Sequence, residues 1–123
     1  RVSLKDLKSK VILIQFTGIG CGPCHQSVPF LKQLVEEYKT SDFEFVSIET
    51  WSENRDGLKR YYERNALNYK FLKSEEGVTD SYRIYSVPAF FILDEKRLIR
   101  KVLTGYGKGE TDNTIRNTLK EWL

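Results

Sequence analysis

The sequence contains no methionine, one histidine, two cysteines and three prolines in 123 residues. Each scarcity excludes something. Zinc sites usually take four Cys or His ligands, and two cysteines with one histidine cannot supply them. No apolar run approaches the roughly 18 residues of a membrane span. The longest are Val11–Ile14 and Val87–Leu93. No stretch reads as a signal peptide. The basic excess is only three charges and is spread along the chain, so nucleic acid is not an expected partner. The aromatic and basic stretch Tyr61–Phe71 has rings that bases could stack on, but single-strand binding also needs a basic groove. A translated chain begins with Met and this one begins at Arg1, so residues 1–123 are expected to be one domain of a longer or processed chain. Any export signal, membrane tether or partner domain would lie outside it.

The length suits a single domain that buries about two-thirds of its unfolded surface. Such a chain needs neither metal nor disulfide merely to fold. Val11–Phe16 is a β-branched apolar run and reads as a central strand covered on both faces. A glycine-rich loop follows, then a helix from Gly22 to about Tyr38, with Val28, Leu31, Leu34, Val35 and Tyr38 on one face. Pro23 suits its first turn, and Pro29 should kink it. Phe43–Ile48 reads as a second strand, parallel to the first. Residues 53–65 look helical, with Leu58, Tyr61 and Tyr62 inward. Tyr69–Leu72 is a candidate edge strand, and Gly77–Tyr85 a candidate short helix. Ala89–Leu93 and Leu98–Leu103 flank a polar hairpin turn at Asp94–Arg97. A last amphipathic helix carries Ile115, Leu119 and Trp122. A parallel βαβ half followed by a ββα half predicts a mixed α/β sheet with helices on both faces.

The chemistry lies in Cys21-Gly22-Pro23-Cys24. Two cysteines three apart close a very small ring, and the stabilisation from a cross-link grows with loop length. Reactivity is therefore the better reason for the pair than stability, though an inert structural disulfide is the plain alternative. Cys21 falls where a strand's exit loop enters a helix. Unpaired N–H groups and the positive end of the helix dipole favour a thiolate there. Thiolate is the attacking species in disulfide exchange. Cys24 lies one turn further in, within bonding reach. Cys21 is thus the expected exposed nucleophile, and Cys24 the shielded thiol that displaces what Cys21 captures. The glycines at 18, 20 and 22 lack the Lys-Ser/Thr or third spaced glycine of a phosphate loop.

A CxxC pair following a buried strand resembles the thioredoxin superfamily. Several features match its TlpA/ResA-like branch of bacterial thiol-disulfide oxidoreductases. These are the opening segment Arg1–Lys10, the helix and strand inserted between Trp51 and Leu72, and Tyr82-Arg83-Ile84-Tyr85-Ser86-Val87-Pro88 followed by Phe91-Ile92-Leu93-Asp94. The resemblance implies a thioredoxin fold with a TlpA-type insertion. It also implies an active-site turn at Gly22 and Pro23, and a cis peptide before Pro88 facing the cysteines. The Val87 backbone would then be free to pair with a substrate strand. The implied activity is reduction of disulfides in partner proteins, recharged by an upstream thiol donor, without cofactor or metal. The implied setting is the periplasm or cell envelope, with a monomeric domain held to the membrane only by a tether outside this chain.

Three departures from the family pattern stand out. Gly20 occupies the place of the usual Trp before the first cysteine. Gln15 replaces thioredoxin's buried Asp, and Ser27 replaces the Glu common in this branch. The usual proton acceptors are therefore absent. Glu49, at the end of the second strand, is a candidate proton relay. Its plainer reading is a solvated strand-end carboxylate. His25 would favour a thiolate if protonated, or is simply an exposed helix residue. Trp51 either lines the binding groove or packs.

Thioredoxin, at about −270 mV, and DsbA, at about −120 mV, span the potentials of this fold class, and Gly-Pro between the cysteines resembles the reducing end. Two rival functions differ in kind. A thiol peroxidase would need a peroxidatic Cys outside the CxxC pair, and no third cysteine exists. A docking module would not need its sulfurs.

Overall fold

Seven consecutive residues of β1 (Val11–Thr17) are buried, as an apolar run covered on both faces requires. The computed structural model describes residues 9–51, 55–74 and 86–123. In it β1 is the middle strand of five. β2 (Phe43–Glu49) lies parallel on one side, in register from Val11↔Phe43 to Thr17↔Glu49. β3 (Lys70–Lys73) extends that side as a parallel edge strand, with Lys73 opposite Glu49. On the other side β4 (Ala89–Leu93) runs antiparallel, with Ala89 opposite Phe16. β5 (Ile99–Thr104) closes the order β3-β2-β1-β4-β5, with Thr104 opposite Ala89. This register brings the ends of β1, β2 and β5 and the start of β4 to one edge of the sheet.

The helix expected from Gly22 to Tyr38 is two helices, α1 (Gly22–Gln26) and α2 (Val28–Glu37). Pro29 has no N–H to offer, so the break is a full interruption at Ser27 rather than a kink. Ser27 itself keeps right-handed helical angles (φ −78°, ψ −15°). α3 spans Arg55–Arg64 and α4 spans Glu110–Trp122. In α3 Leu58 is buried, but Tyr62 faces solvent and not the interior. Ten residues give α3 under three turns, and its inward stripe is too narrow to hold both Tyr61 and Tyr62.

Alternate residues of β1 feed two cores. Val11 and Leu13 join Leu31 and Leu34 of α2 and Ile115 and Leu119 of α4 on one face. Ile12, Ile14 and Phe16 join Val46, Phe91 and Leu93 on the other. Each fully buried aliphatic or phenyl side chain contributes about 1.5–3 kcal/mol. α2 and α4 both cover the first face. The short helix expected at Gly77–Tyr85, the opening segment up to Lys8 and the start of the helix expected at 53–65 lie outside the described residues.

The hairpin between β4 and β5 forms as its polar turn predicts. Asp94 Oδ1 accepts N–H bonds from Lys96 (2.9 Å) and Leu98 (3.1 Å). Those bonds hold Leu98 in the turn and start β5 at Ile99, one residue later than expected.

Candidate functional site

Cys21 is the residue that caps the N-terminus of α1, with extended backbone angles (φ −80°, ψ 116°). The loop before it makes a tight turn, in which the Cys21 N–H donates to the Gly18 carbonyl at 3.0 Å. Gly20 takes a left-handed φ of 98°, which glycine adopts without steric penalty. The Cys24 N–H then points back at the Cys21 sulfur, 3.2 Å away. That donor is one of the orphan amides of a helix start, and it stabilises negative charge on sulfur.

The two sulfurs are bonded to one another, with Cα atoms 5.2 Å apart. Both residues are buried in this oxidised form, Cys21 at 6% exposure and Cys24 at 2%. The expectation of an exposed first sulfur is corrected to that extent. Cys21 is bonded to Cys24 and has Val87 against it. Its Sγ lies 3.8 Å from the Val87 carbonyl oxygen. The Val87–Pro88 peptide is cis, as the resemblance implies. Pro88 is held from behind, its carbonyl accepting the Gly105 N–H at 2.7 Å. Gly22 and Pro23 form the first turn of α1, and among the described residues nothing outside that turn lies within 4 Å of where a Gly22 side chain would begin.

Beneath the sulfurs runs a neutral polar network. Gln15 Nε2 donates to Ser27 Oγ (3.0 Å), and Ser27 Oγ donates to the Cys24 carbonyl (2.6 Å). Ser47 Oγ donates to Gln15 Oε1 (2.8 Å). All three residues are buried. The sequence marks Gln15 and Ser27 as two separate losses of an acid. It gave no warning that they are one connected unit. The available signal was that Gln15 and Ser47 each interrupt an apolar strand on positions that the register pairs directly.

Glu49 is fully buried, which overturns its reading as a solvated strand-end residue. Its Oε2 accepts the Ile19 N–H at 2.8 Å, two residues before Cys21. The cause is the β1–β2 register, which sets Glu49 opposite Thr17 where the loop departs. Thr50 adds an N–H bond to the Thr17 carbonyl at 2.8 Å. His25 is exposed on α1, and its Nδ1 lies 3.0 Å from the Tyr61 hydroxyl of α3. Burial raises the Tyr61 pKa above its ordinary value. Among the described residues no cluster of three or more His, Cys, Asp or Glu is placed to hold a metal ion.

The family model named Redoxin matches residues 1–119. The chain belongs to the Redoxin family. The thiol-disulfide oxidoreductase ResA of Bacillus subtilis (strain 168) is 26% identical over 106 residues, covering 85% of this chain and 59% of that protein. The thioredoxin-like protein YneN of the same organism is 28% identical over 104 residues, covering 84% of this chain and 61% of that one. The Halalkalibacterium halodurans ResA is 28% identical over 120 residues, covering 97% and 66%. The chain thus spans about three-fifths of the length of the first two of these relatives. Among solved structures, a putative thiol:disulfide interchange protein DsbE from Chlorobium tepidum superposes with a TM-score of 0.86 at 20% identity, covering 97% of this chain and 84% of that one. StoA from Bacillus subtilis superposes at 0.76 and 22%, covering 94% and 83%. These establish the thioredoxin fold of this Redoxin family member. Its ResA relatives support the TlpA/ResA-like resemblance.

Proposed function

We propose that this domain is a protein-disulfide reductase working through a Cys21/Cys24 dithiol–disulfide cycle. The observation that carries the reading is the Cys21–Cys24 disulfide at the start of α1, with the Cys24 N–H and the Val87 carbonyl both against the Cys21 sulfur. ResA and YneN relatives across most of the chain support it.

In the reduced form the Cys21 thiolate attacks one sulfur of a substrate disulfide. A Cys21–substrate S–S bond forms, the substrate S–S bond breaks, and the other substrate sulfur leaves as thiolate. Cys24 then loses its proton and attacks Cys21 Sγ. The mixed disulfide breaks, the second substrate sulfur leaves, and the Cys21–Cys24 bond closes. Two electrons pass from the domain to the substrate, and the two substrate thiolates take up two protons. An upstream thiol donor reverses the change. The Cys24 N–H stabilises the Cys21 thiolate before it attacks. The Val87 carbonyl accepts a backbone N–H of the substrate strand, in the manner of strand addition. Gly22 and Pro23 fix the turn that keeps the sulfurs within reach.

Glu49 is assigned as the proton relay for this exchange. It is the one fully buried carboxylate among the described residues and already touches the loop that delivers Cys21. The expected partners are disulfide-containing proteins outside the cytoplasm, where disulfides persist. The domain acts as a monomer.

The test is reduction of a protein disulfide with dithiothreitol as donor. The native chain turns over, Cys21→Ser does not, and Cys24→Ser accumulates mixed disulfides. Equal turnover by Cys21→Ser and the native chain overturns the assignment.

A further inference from the structure

Trp51 is the most exposed large hydrophobic residue described, at 57%, and it stands beside the redox site. Its position is built. The indole lies flat against Gly18, so closely that a Gly18 β-carbon would sit 2.6 Å from Cε3 and 2.8 Å from Cγ. Only glycine admits that approach. The same Gly18 accepts the Cys21 N–H through its carbonyl. The ring therefore rests on the turn that presents the first cysteine.

Its backbone is held as well. The preceding residue, Thr50, donates both its N–H (2.8 Å) and its hydroxyl (3.2 Å) to the Thr17 carbonyl. Glu49, one residue earlier, holds Ile19. Three consecutive residues at the exit of β2 thus grip the loop Thr17–Ile19. Beside them Gly20 presents no side chain, and among the described residues nothing beyond its chain neighbours lies within 4 Å of where one would begin. The position just before Cys21 thus carries no side chain, while the exit of β2 sets an aromatic ring against Gly18.

Single exposed hydrophobic residues are common, and what sets Trp51 apart is its seat on the turn that presents Cys21. Indoles in such positions are favoured as contact residues, because they give much apolar area for little rotamer entropy. We propose that Trp51 is the substrate-docking platform of this domain. Its exposed ring face takes an apolar side chain of the polypeptide segment that flanks the target disulfide. This rests on the proposed reductase activity and names what selects its substrates. The segment crosses from Trp51 over the open Gly20 position to Cys21, where its sulfur is attacked. Selection by Trp51 concerns polypeptide neighbours of the disulfide, not the disulfide itself.

The experiment compares two substrates with Trp51→Ala, Trp51→Phe and the native chain. One substrate is insulin, whose disulfides are flanked by polypeptide. The other is 5,5′-dithiobis(2-nitrobenzoate), a small disulfide without such a segment. Trp51→Ala should raise KM for insulin about tenfold, corresponding to about 1.4 kcal/mol of lost contact. Its kcat for insulin and its rate with the small disulfide should match the native chain. Trp51→Phe should recover most of the insulin KM. Unchanged insulin KM in Trp51→Ala overturns the inference and leaves the reductase reading standing. An equal loss on both substrates assigns the ring a purely structural role and also overturns it. A native chain that reduces neither substrate removes the reductase reading and this inference together. Thermal melts show whether the fold is kept, and if the Ala variant is unstable Trp51→Gln, which removes the ring but keeps a long side chain, carries the comparison, with the same tenfold rise in insulin KM expected and an unchanged KM overturning the inference.

Discussion

Gln15 donates a hydrogen bond to Ser27 at 3.0 Å, joining the two positions where the family resemblance leads one to expect an acid. Because Ser27 also holds the Cys24 carbonyl and Ser47 holds Gln15, strand β1, strand β2 and the junction of α1 with α2 meet in a single uncharged network. Removing one member leaves at least one buried polar atom of a neighbour without its partner. Gln15→Leu should cost about 1–3 kcal/mol. Ser47→Ala should cost less, since it strands only one acceptor. Urea unfolding checks both, and the Gln15→Leu/Ser27→Ala double variant should lose less than the two singles added together.

Glu49 separates two roles that one carboxylate can hold. Glu49→Gln keeps an oxygen to accept the Ile19 N–H, so the fold should lose under about 1 kcal/mol, whereas Glu49→Ala loses the bond and about 1–3 kcal/mol. If Glu49 relays protons, Glu49→Gln should still slow disulfide reduction, by up to the roughly 10²-fold at the low end of acid–base catalysis. Full turnover by a stable Glu49→Gln leaves Glu49 as a loop clamp only.

Gly18→Ala tests the ring contact from the other side. The added methyl meets the Trp51 indole, and its neighbours must move. Overpacking of this kind costs about 1–3 kcal/mol. The Trp51 fluorescence should shift, measured against a Trp122→Phe background so that one indole reports.

Phe16 is fully buried with its ring edge-on to Phe91 at 5.6 Å between centroids. Phe16→Ala should cost about 3–5 kcal/mol. Tyr62→Ala, at a ring that faces solvent, should fall within about 0.5 kcal/mol of the native chain. A comparable loss at both sites would contradict the placement of α3.

Tyr69 and Tyr106 both hold their hydroxyl protons more tightly than free tyrosine. Burial is the larger cause in each, joined by the Tyr61 charge at Tyr69 and by the Asp112 hydrogen bond at Tyr106. A raised folded pKa gives stability that is complete below the unfolded value of about 10 and is lost as pH climbs toward the folded one. The melting temperature should therefore fall as pH rises above about 10. Absorbance at 295 nm should show tyrosines that ionise only as the fold opens.

The sequence carries most of the sheet because its strands are apolar runs bounded by turn residues. Val11–Phe16 and Ala89–Leu93 need burial on two faces, and only a central position offers it. The cysteine pair and Pro88 were legible because their spacing and order are specific. Two things were not legible. Pro29 signals a disturbance in a helix, but whether the chain bends or breaks is decided by what the neighbouring carbonyls bond, and Ser27 supplied that answer from its side chain. Glu49 reads as a surface residue because strand-end carboxylates usually are one. Its burial follows from the Thr17↔Glu49 register and the loop folding over it, and both are long-range facts.

The Cys21–Cys24 bond joins residues only three apart inside one turn. Only Gly22 and Pro23 lie between the two residues, so the covalent change between oxidised and reduced forms is confined to this turn. A partner that must tell the charged carrier from the spent one has to sense the sulfurs and their immediate rim. Docking and electron delivery are then decided over the same few square nanometres, and reduced and oxidised forms should compete for a shared partner surface rather than address separate ones.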